Sequence, residues 1–289
     1  MKRIGLAGVG LMGFGIGDRL LKAAFPLSVI AHRNRRPVEE LVAKGAVEQP
    51  TPEALASASD VVILCLSNSA AVEDVIARME PHLAPGAIVI DTGTSNPAST
   101  RRLAERLARR QVALADAPMT GGPEQSLAGE VGILLGADDE TAKAIEPVLQ
   151  AFAARVAHFG PPGSGHAAKL VSNYLVTGMI ALVTDTFRAA DAAGVDRAKL
   201  YEVMLLGSGN SGVLRKMAGP AIGSGDYDGY RFAIANAAKD LGYFCDMAKD
   251  GGFRSKLAEA LQAAWRGHLG ERQPDSNVSW LIEPPAKLT

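Results

Sequence analysis

The chain has 289 residues, 47% apolar and 21% charged, which excludes a disordered chain and leaves room for two domains with separate cores. Thirty basic residues against 31 acidic ones give a formal charge of −1, so there is no global basic field for nucleic acid and no acidic tail. Cys65 and Cys245 lie far apart, fit no metal or redox motif, and are expected to be buried thiols in a reducing compartment.

Arg3 to Ala7 read as a buried opening strand, and Gly8-Val9-Gly10-Leu11-Met12-Gly13 follows at once. A G-x-G-x-x-G between a strand and a helix is the fingerprint of a dinucleotide site. Gly8 allows the tight turn, Gly10 lets a pyrophosphate approach the backbone, and Gly13 lets the helix pack closely on the strand. Ile16, Leu20 and Leu21 then continue at helical spacing, and the helix N-terminus faces the phosphates. Met1-Lys2-Arg3 could open a signal peptide, but glycines interrupt the apolar stretch behind it and no cleavage pattern follows, so a cytoplasmic protein is expected.

Leu27 to Ala31 form the second candidate strand. Where an acid would bind the ribose 2′-hydroxyl of NAD, the chain reads His32-Arg33-Asn34-Arg35-Arg36. Guanidinium groups there can pair with a 2′-phosphate, which favours NADP with NAD still possible; a solvated basic loop is the alternative. Val61 to Leu66, Ala87 to Asp91, Val112 to Ala117, Val131 to Leu135 and Arg155 to Phe159 are further strands, alternating with helical patterns. Such alternation predicts a largely parallel sheet covered by helices on both faces.

Past Gly160-Pro161-Pro162-Gly163 one long helical pattern runs from Ser164 to Ala193 and stops at Gly194. Its most apolar part, Leu170 to Val183, is too short to span a bilayer. Arg197 to Leu206, Asn236 to Lys249 and Ser255 to Leu269 read as helices, with Gly-rich breaks at Gly207 to Gly212 and Gly219 to Gly229 and a tail around Pro284-Pro285. The expected architecture is an α/β Rossmann-type dinucleotide-binding domain over residues 1–162, followed by an all-α C-terminal domain over 163–289 that opens with an interdomain helix. That helix is apolar enough to suggest a homo-oligomer, with a purely intramolecular helix as the alternative.

Ligands of open α/β sheets bind beyond the carboxyl ends of the strands. The segments there are Leu66-Ser67-Asn68, Asp91-Thr92-Gly93-Thr94-Ser95-Asn96-Pro97 and Asp116-Ala117-Pro118-Met119-Thr120-Gly121-Gly122. Thr120 to Gly122 offer a hydroxyl and bare peptide N–H groups able to hold a carboxylate; a simple turn is the alternative. In Gly163-Ser164-Gly165-His166-Ala167-Ala168-Lys169-Leu170-Val171-Ser172-Asn173, Lys169 and Asn173 lie at i and i+4 on one helix face. Lys169 sits in an apolar stretch, where desolvation favours a neutral amine usable as an acid/base, although a snorkelling surface lysine is common. His166 reads as a helix-start or interface residue.

Four separated motifs together resemble the β-hydroxyacid dehydrogenase family, which includes 3-hydroxyisobutyrate dehydrogenase and tartronate semialdehyde reductase. They are the G-x-G-x-M-G opening at Gly8 to Gly13, the D-x-S-T-x-x-P segment at Asp91 to Pro97, the D-A-P-V-S-G-G segment at Asp116 to Gly122, and G-x-G-x-x-x-K-x-x-x-N at Gly163 to Asn173. A fifth, K-D-L, stands at Lys239-Asp240-Leu241. The resemblance implies an oxidoreductase moving a hydride between NADP and a small β-hydroxy acid or its semialdehyde. It implies Lys169 as catalytic lysine, Asn173 as its substrate-orienting neighbour, and Thr120, Gly121 and Gly122 as the substrate carboxylate site.

By the same resemblance the cofactor lies against Gly8, Gly10, Leu11, Met12, Gly13, Arg33, Asn34, Arg35, Leu66, Ser67, Thr94 and Lys239, with Arg33 on the 2′-phosphate and Thr94 beside the nicotinamide. The helical domain is implied to resemble that of 6-phosphogluconate dehydrogenase, the assembly to be a homodimer or homotetramer, and neither metal, nucleic acid nor membrane is expected as a partner. Thr120 in place of Ser, Gly93 in place of Ser and Ser67 in place of Pro bear on the substrate rather than the reaction. Imine reductases share the opening motif but generally lack the lysine at the position of Lys169. A non-catalytic NADP-binding module would have no need for Lys169, Asn173 and Lys239 together.

Overall fold

The computed structural model describes residues 1–284; Pro285 to Thr289, within the expected tail, lie outside the described residues. The contacts divide the chain into two units, Met1–Lys169 and the residues from Leu170 on. In the first unit β1 (Ile4–Ala7), α1 (Leu11–Lys22), β2 (Leu27–Ile30), α2 (Arg36–Ala43), β3 (Val47–Gln49), α3 (Pro52–Ser57), β4 (Val61–Leu64) and α4 (Ser69–Met79) follow one another. Then come β5 (Ile88–Asp91), α5 (Pro97–Ala108), β6 (Ala113–Asp116), β7 (Met119–Thr120), α6 (Pro123–Ala128), β8 (Val131–Gly136), α7 (Asp139–Gln150) and β9 (Ala153–Gly160).

Among the described residues these strands form one sheet in the order β3-β2-β1-β4-β5-β6-β8-β7, with β9 on β8. Pairing from β3 through β6 is parallel, while β8 runs antiparallel to β6 and β7. The alternation of strand residues explains the layers. Ile4, Leu6, Val61, Ile63 and Ile90 pack on one face with Ile16, Leu20 and Leu41. Ala7, Val62, Leu64 and Val89 pack on the other with Leu55, Ile76 and Leu103. Register pairs Ala7 with Leu64, Leu64 with Asp91 and Asp91 with Asp116, so four strands end in one row.

α1 packs through its glycines. A Cβ on Gly13 would stand 2.0 Å from the Gly8 carbonyl oxygen, one on Gly15 2.4 Å from Ser126 Oγ, and one on Gly17 2.6 Å from Leu41 Cδ1. Most other helices start on a local side-chain cap, among them α4 on Asn68, α5 on Asn96 and α7 on Asp138.

The second unit is helical. α8 (Ser164–Ala192) crosses the division, and α9 (Arg197–Leu206), α10 (Gly212–Ser224), α11 (Ile234–Asp250), α12 (Lys256–Glu271) and a 3-10 turn at Val278–Ile282 follow. Their core gathers Leu170, Ile180, Phe187, Leu214, Met217, Leu241 and Trp265. At 29 residues α8 is long and apolar enough to cross a membrane, unlike its shorter apolar stretch taken alone. Leu170, Ile180 and Phe187 are nonetheless fully buried in a protein core, along with the polar Thr177 and Thr184, whose hydroxyls donate to backbone carbonyls one turn back.

Several sequence expectations need correction. β3 and β7 are too short to show an alternating pattern, and Val47 and Glu48 are exposed. The stretch from Gly219, read as a break, is helical as far as Ser224 and passes through Pro220. Ser211 caps that helix, Gly225 ends it in the left-handed region, and Val213, Leu214, Met217, Ala218 and Ala221 are buried along it, so packing outweighs poor local propensity. Cys65 and Cys245 are partly rather than fully buried, and burial pushes the Cys65 thiol up to about 11.

The contact between α1 and α6 yields a stability test. Gly15→Ala would gain helix propensity but force a methyl onto Ser126, and overpacking of that kind costs about 1 to 3 kcal/mol. A lower Tm in thermal unfolding is the expected outcome, and an unchanged or raised Tm would show that the two helices can separate without cost.

Candidate active site

The row of strand ends brings the predicted cofactor segments together at one edge of the sheet. Gly8 adopts φ +98°, and a Cβ there would lie 2.2 Å from the Cys65 carbonyl oxygen and 3.1 Å from Leu66 Cδ2. Gly10 is different: a Cβ on it would meet nothing within 4 Å. Gly10 is also the N-cap of α1, and no side chain caps that helix. Uncapped N–H groups at a helix start, beside a glycine with open space at its Cβ position, are donors of the kind that suit an anion such as a pyrophosphate. Met12 and Leu11 begin the helix, with the Met12 carbonyl accepting from Ser126 Oγ at 2.8 Å and Leu11 63% exposed.

The residues that follow β2, Ala31 to Arg36, include no carboxylate. Arg33 is exposed and makes no hydrogen bond or ion pair among the described residues. Arg35 behaves differently, since both oxygens of Glu48 on β3 accept from it at 3.0 Å and Glu39 lies 3.6 Å away. Arg36 pairs with Glu40 at 3.0 Å, and Asn34 Oδ1 accepts the Arg36 peptide N–H at 3.3 Å. Of the three arginines, Arg33 alone is uncommitted.

Leu66 and Ser67 follow β4, and Asn68 Oδ1 accepts from Ala71 N to start α4. Thr94 lies in a loop shaped by Asp91, whose Oδ1 accepts from Gly93 N at 2.9 Å and whose Oδ2 accepts from the Ser95 hydroxyl at 2.7 Å. Thr120 is exposed at the end of β7, and Gly121 has φ +99°. The expectation of bare peptide donors holds only in part: Gly122 N–H donates to Gln125 Oε1 at 2.8 Å, and the Thr120 hydroxyl donates to the Gly132 carbonyl at 3.4 Å.

Lys169 is half-buried, three residues beyond His166 on α8. In the second unit Asn173 is 7% exposed and donates through Nδ2 to Asp240 Oδ2 at 2.7 Å. Lys239 Nζ lies 2.8 Å from the other oxygen of Asp240 and 5.1 Å from the centre of the Tyr243 ring. Asp240, itself 4% exposed, thus joins two predicted site residues that lie far apart in sequence.

Residues 3–160 match the family model described as the NAD binding domain of 6-phosphogluconate dehydrogenase, and residues 163–284 match that of the NAD-binding region of NADP-dependent 3-hydroxyisobutyrate dehydrogenase. An L-threonate dehydrogenase of Cupriavidus necator is 31% identical over 99% of both chains. The chain belongs to the β-hydroxyacid dehydrogenase family. A second relative, an NAD-dependent L-serine dehydrogenase of Pseudomonas aeruginosa, is 31% identical over 86% of both chains. The solved structure of a 3-hydroxyisobutyrate dehydrogenase from Salmonella typhimurium superposes with a TM-score of 0.87 at 25% identity, covering 97% of this chain and 98% of that one. This β-hydroxyacid dehydrogenase uses NAD(P), and small hydroxy acids suit its relatives' names.

Sequence reasoning about the dehydrogenase missed the part played by Asp240. Its place beside Lys239 in Lys239-Asp240-Leu241 was the available signal, but only the packing of α11 shows it reaching Asn173. Sequence reasoning assigns Asp91 and Asp116 no role of their own and reads His166 as a helix-start or interface residue, although all three lie inside the quoted motifs.

Proposed function

We propose that the chain is an NADP-preferring dehydrogenase of small β-hydroxy acids or their semialdehydes, with Lys169 as the acid/base. The observation that carries this reading is the spacing on α8: Lys169 precedes by four residues a buried Asn173 whose amide is oriented by Asp240. In reduction, Lys169 donates a proton to the substrate oxygen; in oxidation, its neutral amine takes the hydroxyl proton. Asn173 orients the substrate, and Thr120 with the Gly121–Gly122 backbone receives its carboxylate. Lys239 closes over cofactor and substrate. The bound nicotinamide supplies the hydride chemistry.

The NADP preference rests on Arg33, the uncommitted guanidinium of the loop, and on the lack of an acid beyond β2. Arg35 and Arg36, held by Glu48 and Glu40, support it less than their sequence positions imply. Asn34, Leu66, Ser67 and Thr94 complete the cofactor contacts. In this reading residues 1–162 bind the cofactor, and residues 163–289 supply substrate contacts and the surface of a homo-oligomer in the cytoplasm. Val171, Leu175 and Leu182, each more than half exposed, form an apolar stripe on one side of α8 that a second copy would cover.

Three measurements test these statements. Lys169→Ala is expected to lower turnover by about 10²- to 10⁴-fold while leaving NADPH affinity nearly unchanged. The assay follows cofactor absorbance with C3 to C5 semialdehydes and with L-serine, L-threonate and 3-hydroxyisobutyrate. A variant as active as its parent would remove Lys169 from the mechanism.

Arg33→Asp removes a charge-assisted contact of about 1.5 to 3 kcal/mol, roughly 10- to 150-fold in the NADP over NAD ratio of kcat/KM, and it adds repulsion. Both ratios are measured at one moderate ionic strength. A parent that prefers NAD, or an unchanged ratio in the variant, would leave Arg33 a surface residue. Light scattering is expected to give at least twice the chain mass of 30.1 kDa. A stable monomer at micromolar concentration would disprove the oligomer.

A further inference from the structure

A buried polar cluster in the first unit lies among segments assigned to cofactor and acid/base, yet contributes none of their proposed contacts. Asp91 and Asp116, register partners at the ends of β5 and β6, are 2% and 0% exposed. His166, also fully buried, stands between them, with Nε2 3.7 Å from Asp91 Oδ2 and Nδ1 3.6 Å from Asp116 Oδ2. Thr100 Oγ1 on α5 lies 2.8 Å from Nδ1, while Nε2 has no hydrogen-bond partner among the described residues. Burial pushes the Asp116 carboxyl above its ordinary range, as does Asp91; His166 and the peptide donors of Gly163 and His166 pull it down. Two adjacent buried carboxylates are unfavourable unless compensated.

The compensation comes from segments that carry functional residues. Asp116 Oδ1 accepts from Gly163 N and Oδ2 from His166 N, both at 2.6 Å, at the start of α8. Asp91 spends its two oxygens on Gly93 N and Ser95 Oγ, in the loop that holds Thr94. Helices such as α4, α7 and α9 are capped by the residue just before them, which stabilises the helix wherever it lies. α8 is held by a strand residue 47 and 50 positions away, which also sets where the helix starts. It has no room to slide: a Cβ on Gly165 would stand 2.3 Å from the Leu134 carbonyl oxygen, and one on Gly136 2.4 Å from Asp116 Oδ1.

We propose that Asp116, with His166 and Asp91, is a positioning unit that fixes the first turn of α8, and through it Lys169, relative to the loop carrying Thr94. None of the three touches the reacting atoms. The proposal rests on Lys169 being the acid/base. A misplacement of about 1 Å at a reacting group can cost on the order of 10²-fold in rate, so a fixed helix start matters for turnover beyond its effect on stability.

Asp116→Asn keeps the shape but turns an amide toward a peptide N–H. It is expected to lower kcat by roughly 10- to 100-fold, to leave the NADPH Kd almost unchanged, and to speed amide hydrogen exchange at the start of α8. In the Lys169→Ala background the same substitution should cost less than about twofold, because the group it aims is gone. The rates are taken on whichever compound of the panel above the parent turns over fastest.

Equal losses of kcat in both backgrounds would overturn the positioning role and leave Asp116 purely structural. Unchanged exchange over residues 163–169 would overturn it too, even without a turnover assay. A fully active Lys169→Ala would sink the acid/base reading first, and this proposal with it. Should Asp116→Asn fail to fold, His166→Asn preserves the peptide donor and carries the same cycle, with about a tenfold loss expected in the parent and less than about twofold without Lys169.

Discussion

Parallel hydrogen-bond register places Ala7, Leu64, Asp91 and Asp116 side by side, and the segments that carry the predicted cofactor residues begin just beyond that row. The register is stringent because both faces of the sheet are buried: a slip by one residue would send Ile63 and Val62 each to the wrong layer. One consequence is that the fingerprint glycines, the Leu66–Ser67 segment and the Thr94 loop share an edge, gathered by the long-range pairing of β1 with β4 and of β4 with β5. A second is that two aspartates become neighbours in the interior.

Close backbone packing and open backbone alternate along the fingerprint. Gly8 and Gly13 are needed because carbonyl oxygens stand where a Cβ would be, whereas Gly10 faces nothing. A helix end without a side-chain cap, next to that gap, leaves donors for a diphosphate. Charge around the second strand is arranged with equal economy. Glu48 and Glu40 engage two of the three arginines, and Arg33 is the one of the three left without an ion pair among the described residues.

Buried carboxylates recur as organisers in both units. In the first, Asp91 and Asp116 hold a loop and a helix start; in the second, Asp240 holds Asn173 and Lys239. Each is accompanied by donors on segments that carry predicted site residues. A carboxylate in low dielectric restricts those donors more tightly than a neutral acceptor would, because losing any one leaves a charge uncompensated.

The amino-acid order alone determined the fold class, most strand positions, the dinucleotide-binding domain and the spacing of Lys169 and Asn173, because these depend on local periodicity and on glycines at fixed offsets. The same holds for the loop of basic residues after the second strand. Tertiary structure decided what no local pattern encodes. β3 is a three-residue edge strand with no alternation to read, yet it supplies the Glu48 that engages Arg35. α10 runs through Gly219 and Pro220 because its buried face outweighs their poor helix propensity. The Gly122 amide is taken by a side chain three residues on, which a turn motif does not reveal. His166 reads as one more helix-start residue until the fold sets it between two aspartates 75 and 50 positions earlier, and only burial makes those charges matter to each other.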